Sequence, residues 1–397
     1  MSPSIPVSRF PFPDFDLILG GVPRFAAEAP WARRLIERYA RKLSPQTRTE
    51  TWGRRPVVAD AAGRAPQVLI QVDPEAYLVP AAASRLLRTT ETADLTLPVT
   101  NEPWCEEARF APPFAYHTPA MLEEAAATVV AEASAARRLR TPRSPVFAAR
   151  REILEALPRD LALERAPEEA ARRGVEVFLE PGAYLHRYGE MDGQARADLV
   201  GKVPRGARAV LDVGCSRGAT ARLLRAAGVS RVVGIEPDSG GAAEAARACD
   251  RVLAVTLEAV AEEFANEFDA ILFGDVLEHL PDPSLALARV RPWLSPRGVV
   301  VASVPNLGHW SVVAELLEGR FDYIPYSILS GTHIRFFTRQ TLIDLFEACG
   351  YRVETIDRIT FPASAAGALR LEKLRRLPGA CQDLEAVEFI AVARADS

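Results

Sequence analysis

The chain has 397 residues, of which 48% are hydrophobic and 25% charged, with a net charge of −4 and a pI near 5.9. This length exceeds one ordinary domain and predicts two, while the mild acidity and the lack of a long basic run argue against nucleic-acid binding. Five cysteines without paired spacing, an amino terminus without a signal-peptide pattern, and no apolar run long enough for a bilayer favour a cytoplasmic protein.

The amino-terminal part, residues 1–156, is rich in proline and predicts a smaller α/β domain. It contains a strand ending in acids, a second strand, and a turn that leads into a helix, at residues 67–80, 94–101 and 141–154. In this order the three segments resemble the middle of family 2 (GT-A) glycosyltransferases. The resemblance implies a degenerate relative, because Asp73 and Glu75 replace the metal-binding Asp-x-Asp and too little chain precedes them for a nucleotide-binding half.

Residues 157–180 are interpreted as a charged helical connector. From residue 181 to residue 397, strand and helix patterns alternate in the order that a parallel sheet requires. The apolar runs and their turn residues predict seven strands, at 208–213, 231–236, 251–256, 269–274, 298–304, 351–358 and 386–394.

The first two of these strands carry a nucleotide-binding pattern. An apolar strand runs into the glycine loop that begins at Gly214, and the next strand ends on Glu236, 22 positions later. A carboxylate there can bind the two hydroxyls of a ribose. Asp212 beside the loop would oppose a pyrophosphate, whereas it favours the ammonium and sulfonium of S-adenosylmethionine. An NAD-dependent oxidoreductase is therefore a distant alternative.

The loop itself reads Asp212-Val-Gly214-Cys-Ser216-Arg-Gly218. It resembles the acid-x-Gly-x-Gly-x-Gly loop of class I S-adenosylmethionine-dependent methyltransferases, with Ser216 in place of the middle glycine. The resemblance implies a methyltransferase with a Rossmann-like, seven-stranded, doubly wound sheet whose last strand is antiparallel. It also implies a set of cofactor-binding residues: Asp212, Gly214, Cys215, Ser216, Gly218, Glu236, Pro237, Asp238, Leu257, Glu258 and Asp275.

A second motif follows the fourth strand, where Asp275-Val-Leu-Glu278-His279-Leu-Pro-Asp-Pro283 resembles a signature of many small-molecule methyltransferases. We interpret Glu278 as bracing this loop through a carboxylate–imidazole contact. For His279, a structural and a catalytic role remain equally open.

An insert after the fifth strand contains His309 and, further along, the stretch from Gly319 to Thr338. It resembles a segment of bacterial methyltransferases associated with surface-glycan systems, although Ser330-Gly331 replaces the usual aspartate. The resemblance implies an acceptor surface formed by Tyr323, Tyr326 and Arg335.

Histidine titrates near neutrality and suits the deprotonation of a hydroxyl. The candidate bases are His333, then His309, then His279, and the alternative is that His333 and Arg335 only attach the insert to the sheet. The resulting hypothesis is a cytoplasmic enzyme that O-methylates a sugar, a glycan precursor or a related small molecule, without a metal. The alternative is a non-catalytic, S-adenosylmethionine-binding scaffold in a glycan-assembly complex. The sequence leaves the oligomeric state open.

Overall fold

The computed structural model describes residues 80–90, 92–100, 106–109, 117–144, 146–158, 161–187, 194–261, 264–324, 327–379 and 381–396, and the backbone of four short strands before them. Contacts divide the chain into two compact units. The first contains Met1–Gly189 and Tyr323–Pro325, and the second contains Glu190–Asp322 and Tyr326–Ser397. The predicted residues Asp73, Glu75 and Tyr326 lie outside the described residues.

The first unit contains one mixed sheet with helices. Its strands are β1 (Phe15–Leu19), β2 (Arg48–Thr49), β3 (Val68–Val72), β4 (Ala76–Leu78), β5 (Leu95–Thr100), β6 (Arg137–Arg138), β7 (Phe147–Arg150) and β8 (Val177–Arg187). Its helices are α1 (Pro80–Thr90), α2 (Pro119–Glu132), α3 (Arg151–Ala156) and α4 (Ala166–Arg172). The strand order is β2-β1-β3-β7-β5-β8-β4, and β6 pairs with β8.

The run Leu95–Thr100 forms the interior strand β5, which lies between β7 and β8 and is buried at every position. Burial on both faces is typical of an interior strand, and here it includes the hydroxyl side chains of Thr96 and Thr100. The resemblance of this unit to a GT-A glycosyltransferase stays a prediction.

The unit boundary differs from the predicted domain limits at residues 156 and 181. Strand β8 runs across residue 181 and pairs with β4, β5 and β6, and its Tyr184 and Leu185 are completely buried in the first unit's core. Residues 157–180 contain α4, but they also contain the beginning of β8. Their apolar side chains complete the first sheet, so the contact division falls at Gly189.

The second unit contains strands β9 (Ala209–Val213), β10 (Arg231–Ile235), β11 (Arg251–Leu253), β12 (Phe268–Gly274), β13 (Leu294–Pro305), β14 (Tyr351–Thr360) and β15 (Ala386–Ala395). Its helices are α5 (Ala197–Val200), α6 (Ala219–Ala226), α7 (Ser239–Ala245), α8 (Pro283–Val290), α9 (Trp310–Leu317), α10 (Arg339–Ala348) and α11 (Ala365–Arg375). The strand order is β11-β10-β9-β12-β13-β15-β14, and β15 is antiparallel to both neighbours. The predicted seven-stranded doubly wound sheet is confirmed.

Alternation along the strands builds a core on each face of this sheet. Val210 and Val232 belong to one buried cluster, whereas Leu211 and Val233 belong to the other. Successive side chains of a strand point to opposite faces, so both faces need apolar residues when helices cover both. The carboxyl ends of the parallel strands therefore meet at one edge, where ligands bind in sheets of this kind.

No helix in the described ranges is both long enough and apolar enough to span a membrane.

Candidate functional site

The loop after β9 depends on glycine at two positions. Gly214 has a φ of +73°, and a Cβ added to it would lie 2.6 Å from Cγ2 of Val276. Gly218 has a φ of +75°, and its Cβ would lie 2.9 Å from the Cα of Ala245. Any side chain at these positions would combine backbone strain with a collision. Ser216 also adopts a left-handed conformation, with a φ of +47°.

The backbone of this loop holds the carboxylate that follows β10. The amide of Ser216 donates to Oε2 of Glu236 at 2.8 Å, and the amide of Asp238 donates to Oε1 at 2.9 Å. The Ser216 amide is thus directed at Glu236. A carboxylate has about four acceptor sites, so Glu236, with its orientation fixed, can still accept hydrogen bonds from two hydroxyls.

Asp212 is the penultimate residue of β9 and is buried, with 5% of its surface exposed. Its Oδ2 atom has no hydrogen-bond partner among the described residues. Burial and the charge of Glu236 raise the pKa of Asp212 to about 7. An unpaired buried carboxylate is costly, and a cationic group brought to the loop would relieve that cost. This arrangement fits the ammonium and sulfonium of S-adenosylmethionine.

The other predicted cofactor-binding residues surround these two carboxylates in the sequence but differ in exposure. Pro237 and Asp238 are exposed, and Asp238 caps α7 by accepting a hydrogen bond from the Gly241 amide at 2.6 Å. Leu257 is buried in the core, whereas Glu258 is exposed. Leu257 can therefore offer a cofactor only its backbone.

Arg196, just before α5, was not predicted from the sequence. Its guanidinium donates to Asp198 Oδ2 at 2.9 Å and to Ser303 Oγ at 3.1 Å, and it also pairs with Asp275 and Glu388. These partners belong to α5 and to the carboxyl-edge ends of β12, β13 and β15. A single arginine in a polar segment carries no periodic signal, and only the fold brings its partners together.

Asp275, predicted to bind the cofactor, has its carboxylate engaged by this network. Its Oδ1 accepts a hydrogen bond from Ser303 Oγ at 2.7 Å, and Arg196 pairs with Oδ2. Its φ is +55°, and its amide donates to Ser303 Oγ at 3.0 Å. Nearby, burial and the charge of Asp275 raise the pKa of Glu388 to about 7, although Arg196 opposes the shift. The Asp275 side chain thus braces the edge of the sheet.

Glu278 and two histidines form a cluster at the same edge. Glu278 is 1% exposed, and neither of its carboxylate oxygens has a hydrogen-bond partner in the described part of the chain. The rings of His279 and His333 meet edge to face, with centroids 4.9 Å apart. One ligand atom from each of the three residues lies within 4.8 Å of the others. The group could hold a metal ion, which the sequence analysis did not predict.

The hydrogen bonds of the two imidazoles assign their tautomers. His279 Nδ1 lies 3.1 Å from the Thr332 carbonyl oxygen, and His333 Nδ1 lies 3.0 Å from the Ile328 carbonyl oxygen. A carbonyl oxygen only accepts, so each Nδ1 carries the hydrogen and each Nε2 carries the lone pair. Burial and His279 lower the pKa of His333 to about 4, so this imidazole is neutral at pH 7. Each ring can then accept a proton or bind a cation through Nε2.

Backbone hydrogen bonds fix the insert to this loop. The Glu278 carbonyl oxygen accepts hydrogen bonds from the amides of Ile334 at 2.9 Å and Arg335 at 3.0 Å. The main chain of Glu278 therefore braces the loop, while its carboxylate lies within 4.8 Å of both imidazoles without a hydrogen bond in the described part of the chain. His279 and His333, which are far apart in sequence, are brought together in this way.

His309 has different surroundings from the other two candidate bases. It is 2% exposed and caps α9, with Nδ1 accepting from the Ser311 amide at 3.4 Å and lying 2.8 Å from Ser311 Oγ. Within the described ranges it is not part of the Glu278 cluster. These contacts give His309 a structural task at the start of the helix.

Two of the predicted acceptor residues are described. Arg335 is exposed, and its guanidinium donates to the carbonyl oxygens of Ile334, at 3.1 Å, and of Pro281. Tyr323 is 36% exposed and is grouped with the first unit. Their role in acceptor binding stays a prediction.

A family model described as a methyltransferase domain matches residues 152–356, about half of the chain. The human mitochondrial ubiquinone biosynthesis O-methyltransferase is 29% identical over 158 residues, covering 37% of this chain and 42% of that protein. The Pseudomonas paraeruginosa ubiquinone biosynthesis O-methyltransferase is 29% identical over 175 residues, covering 42% of this chain and 71% of that protein. The chain thus spans less than half of the human relative's length.

Solved structures also resemble the chain. A SAM-dependent methyltransferase from Archaeoglobus fulgidus covers 50% of this chain and 90% of its own, with 17% identity and a TM-score of 0.38. The Burkholderia thailandensis 1,6-didemethyltoxoflavin-N1-methyltransferase, solved with S-adenosylhomocysteine, covers 51% of this chain and 76% of its own, with 22% identity and a TM-score of 0.35.

Proposed function

The chain belongs to the class I S-adenosylmethionine-dependent methyltransferases, and we propose that it methylates a hydroxyl oxygen of a small, ring-containing acceptor. Its cofactor, S-adenosylmethionine, supplies the methyl group as an electrophile. The protein's own residues must then bind the acceptor, exclude water and manage the proton of the hydroxyl. In this proposal Glu236 binds the ribose hydroxyls, and Asp212 stabilises the positive charge of the methionine part.

The observation that carries the proposal is the cluster of Glu278, His279 and His333. A hydroxyl is a poor nucleophile until its proton leaves, and general-base help contributes about 10²–10⁴-fold. The cluster offers the Nε2 lone pair of His333, with the ring of His279 beside it, and the carboxyl group of Glu278, whose oxygens have no hydrogen-bond partner among the described residues. Burial lowers the pKa of His333 and raises that of Glu278, so at pH 7 the imidazole of His333 is neutral and can take up the proton of the hydroxyl.

The oxygen acceptor is also supported by the curated relatives, whose names describe O-methyltransferases. The ring in the acceptor is proposed because Phe321, in the insert of the second unit, is more than a third exposed, and aromatic faces stack on rings. A sugar or glycan acceptor remains the narrower hypothesis from the sequence, and the named relatives do not include an enzyme acting on sugars.

The same cluster supports a second candidate mechanism, in which a divalent cation binds Glu278, His279 and His333. Histidines whose Nδ1–H groups donate to carbonyls are oriented as metal ligands usually are. A cation there would bind the acceptor oxygen and make its proton easier to lose. It would also neutralise the buried carboxylate.

Turnover on a panel of catechols, other phenols and sugars tests the proposal. We expect methylation of at least one hydroxyl acceptor, with the new methyl group on oxygen by mass spectrometry and NMR. Transfer exclusively to nitrogen or carbon acceptors would contradict it. Repeating the assay after chelation separates the two mechanisms: loss of turnover that Mg²⁺ or Zn²⁺ restores selects the cation, and unchanged turnover selects the histidine base.

A further inference from the structure

Two thiols lie side by side behind the cofactor loop. Cys215 and Cys249 are free cysteines, 4% and 8% exposed. A Cβ added to Gly234 would lie 2.5 Å from the sulfur of Cys215 and 3.4 Å from that of Cys249. Both sulfurs therefore border the space that a side chain at residue 234 would need, and they lie close to each other. Gly234 is required here because both thiols need this space.

The two sulfurs are chemically unequal. The neighbouring Cys215 lowers the pKa of Cys249, with a further contribution from the positive charge of Arg225, although burial opposes this shift. The neighbouring Cys249, burial and the charge of Asp212 raise the pKa of Cys215. Because the thiolate is the reactive form of cysteine, Cys249 is the nucleophile of the pair and Cys215 is the thiol that reacts second.

Cys215 is also part of the loop whose backbone orients the carboxylate of Glu236. Its amide donates to the Ile235 carbonyl oxygen at 3.1 Å, and its carbonyl oxygen accepts a hydrogen bond from the Gly218 amide at 2.9 Å. The next residue, Ser216, donates its amide to Glu236. A displacement of Cys215 would therefore change the hydrogen bonds that orient Glu236.

We propose that Cys215 and Cys249 form a redox modification site, at which a small two-electron oxidant joins the two thiols and weakens cofactor binding. With a peroxide, the Cys249 thiolate attacks one oxygen, the O–O bond breaks, and a sulfenic acid forms while the other oxygen leaves as hydroxide or alkoxide. The Cys215 sulfur then attacks the sulfenic sulfur. It gives up its proton, the sulfenic hydroxyl leaves as water, and an S–S bond forms.

The disulfide changes the loop because a covalent S–S bond is about 2.05 Å long, much shorter than the contact distance of the two sulfurs in the free thiols. Closing that gap moves the Cys215 backbone towards Cys249, or strains both residues. In either case the hydrogen bond from Ser216 to Glu236 is disturbed. We expect oxidation to weaken S-adenosylhomocysteine binding at least about tenfold, the size of one lost charge-assisted hydrogen bond.

The experiment uses the full chain, treated with hydrogen peroxide and then freed of it. Peptide mapping without reduction should identify a Cys215–Cys249 disulfide, and calorimetric titration should show the weakened binding, which dithiothreitol restores. A disulfide between these residues that leaves affinity unchanged would overturn the proposal, as would the absence of the linked peptide after complete treatment.

Cys249→Ala is the test variant, since Cys249 lies outside the cofactor loop. It should bind S-adenosylhomocysteine like the unmodified chain and keep that affinity after peroxide. The matched control replaces Cys105, Cys349 and Cys381 by alanine and should remain as sensitive as the parent chain. Equal loss of affinity in Cys249→Ala and the parent would contradict the assignment. Because the readout is cofactor binding, the result is independent of the acceptor.

Discussion

Asp212 and Glu278 are both buried carboxylates near the carboxyl edge of the second sheet, yet their surroundings differ. Asp212 has a second carboxylate nearby, and burial and the charge of Glu236 raise its pKa to about 7. Glu278 lies within reach of two imidazoles whose Nε2 atoms carry lone pairs. At the first site, we propose that the cofactor supplies the positive charge that Asp212 lacks. The second can take up a proton or a cation during the reaction.

The largest expected effect is a loss of turnover in a Glu278 variant that still binds the cofactor. Burial raises the pKa of Glu278, and Glu278→Gln should lower turnover on an identified acceptor by about 10²–10⁴-fold, because glutamine can neither exchange a proton nor supply the charge that a bound cation needs. The affinity for S-adenosylhomocysteine should stay within about twofold of that of the parent chain, since Asp212 and Glu236 are unchanged. Steady-state kinetics and calorimetry measure the two quantities. The control is Glu385→Gln, which removes a half-exposed carboxylate paired with Arg375. Full turnover in both variants would show that Glu278 has no part in the mechanism.

The next effect is a pH dependence of cofactor binding at Asp212. Its pKa of about 7 in the free protein means that the carboxyl must lose a proton before it can pair with a cation. Affinity for S-adenosylmethionine should therefore fall by up to about tenfold per pH unit below pH 7. Asp212→Asn should bind more weakly at pH 8 and lose this dependence. Constant affinity of the parent chain between pH 5.5 and pH 8 would show that Asp212 does not meet the cofactor's charge.

Asp212 also makes the stability of the free protein depend on pH, in the opposite direction: cofactor affinity should rise with pH, whereas stability should fall. A carboxyl whose pKa is raised on folding contributes most below its unfolded value of about 3.9, and that contribution is lost as the pH rises through about 7. The free Asp212→Asn variant should therefore be more stable than the parent at pH 8, by a few kcal/mol, and the difference should shrink at pH 5. Urea unfolding at the two pH values measures it. Equal stability of the variant and the parent at pH 8 would mean that Asp212 is not destabilised by its burial.

A smaller effect is expected at Glu236, the carboxylate that we propose binds the ribose. Glu236→Ala should lose hydrogen bonds to a charged acceptor, about 1.5–3 kcal/mol or at least about tenfold in S-adenosylhomocysteine affinity. Glu258→Ala is the matched control, because this carboxylate is exposed. Unchanged binding by Glu236→Ala would overturn the site assignment.

The smallest expected effect concerns the division between the two units. Residues 190–397 contain all seven strands of the second sheet, so this fragment should fold and bind S-adenosylhomocysteine with nearly full affinity. Circular dichroism and calorimetry test this expectation. A fragment that starts at residue 181 would carry part of β8 without its partners and should aggregate more readily. Failure of the shorter fragment to fold would mean that the second sheet depends on the first unit.

The sequence by itself determined the second sheet and its cofactor loop, because the patterns that predict both lie within short, contiguous stretches of the chain. Apolar runs of strand length separated by turn residues predicted all seven strands, and the spacing from Gly214 to Glu236 identified the carboxylate that we propose binds the ribose. Local patterns of this kind reflect steric and burial requirements that act within a short stretch of chain. They identify the elements and the residues at their ends.

Only the tertiary structure decided which distant side chains meet. Arg196 joins the ends of three strands, Cys249 lies beside Cys215, and His333 reaches Glu278 from the insert after the fifth strand. None of these pairings has a fixed sequence spacing, because each depends on how crossovers and loops return the chain to one edge of the sheet. The same reason explains why the boundary between the two units lies after β8. The residues of β8 belong to the first unit because they pair with β4 and β5.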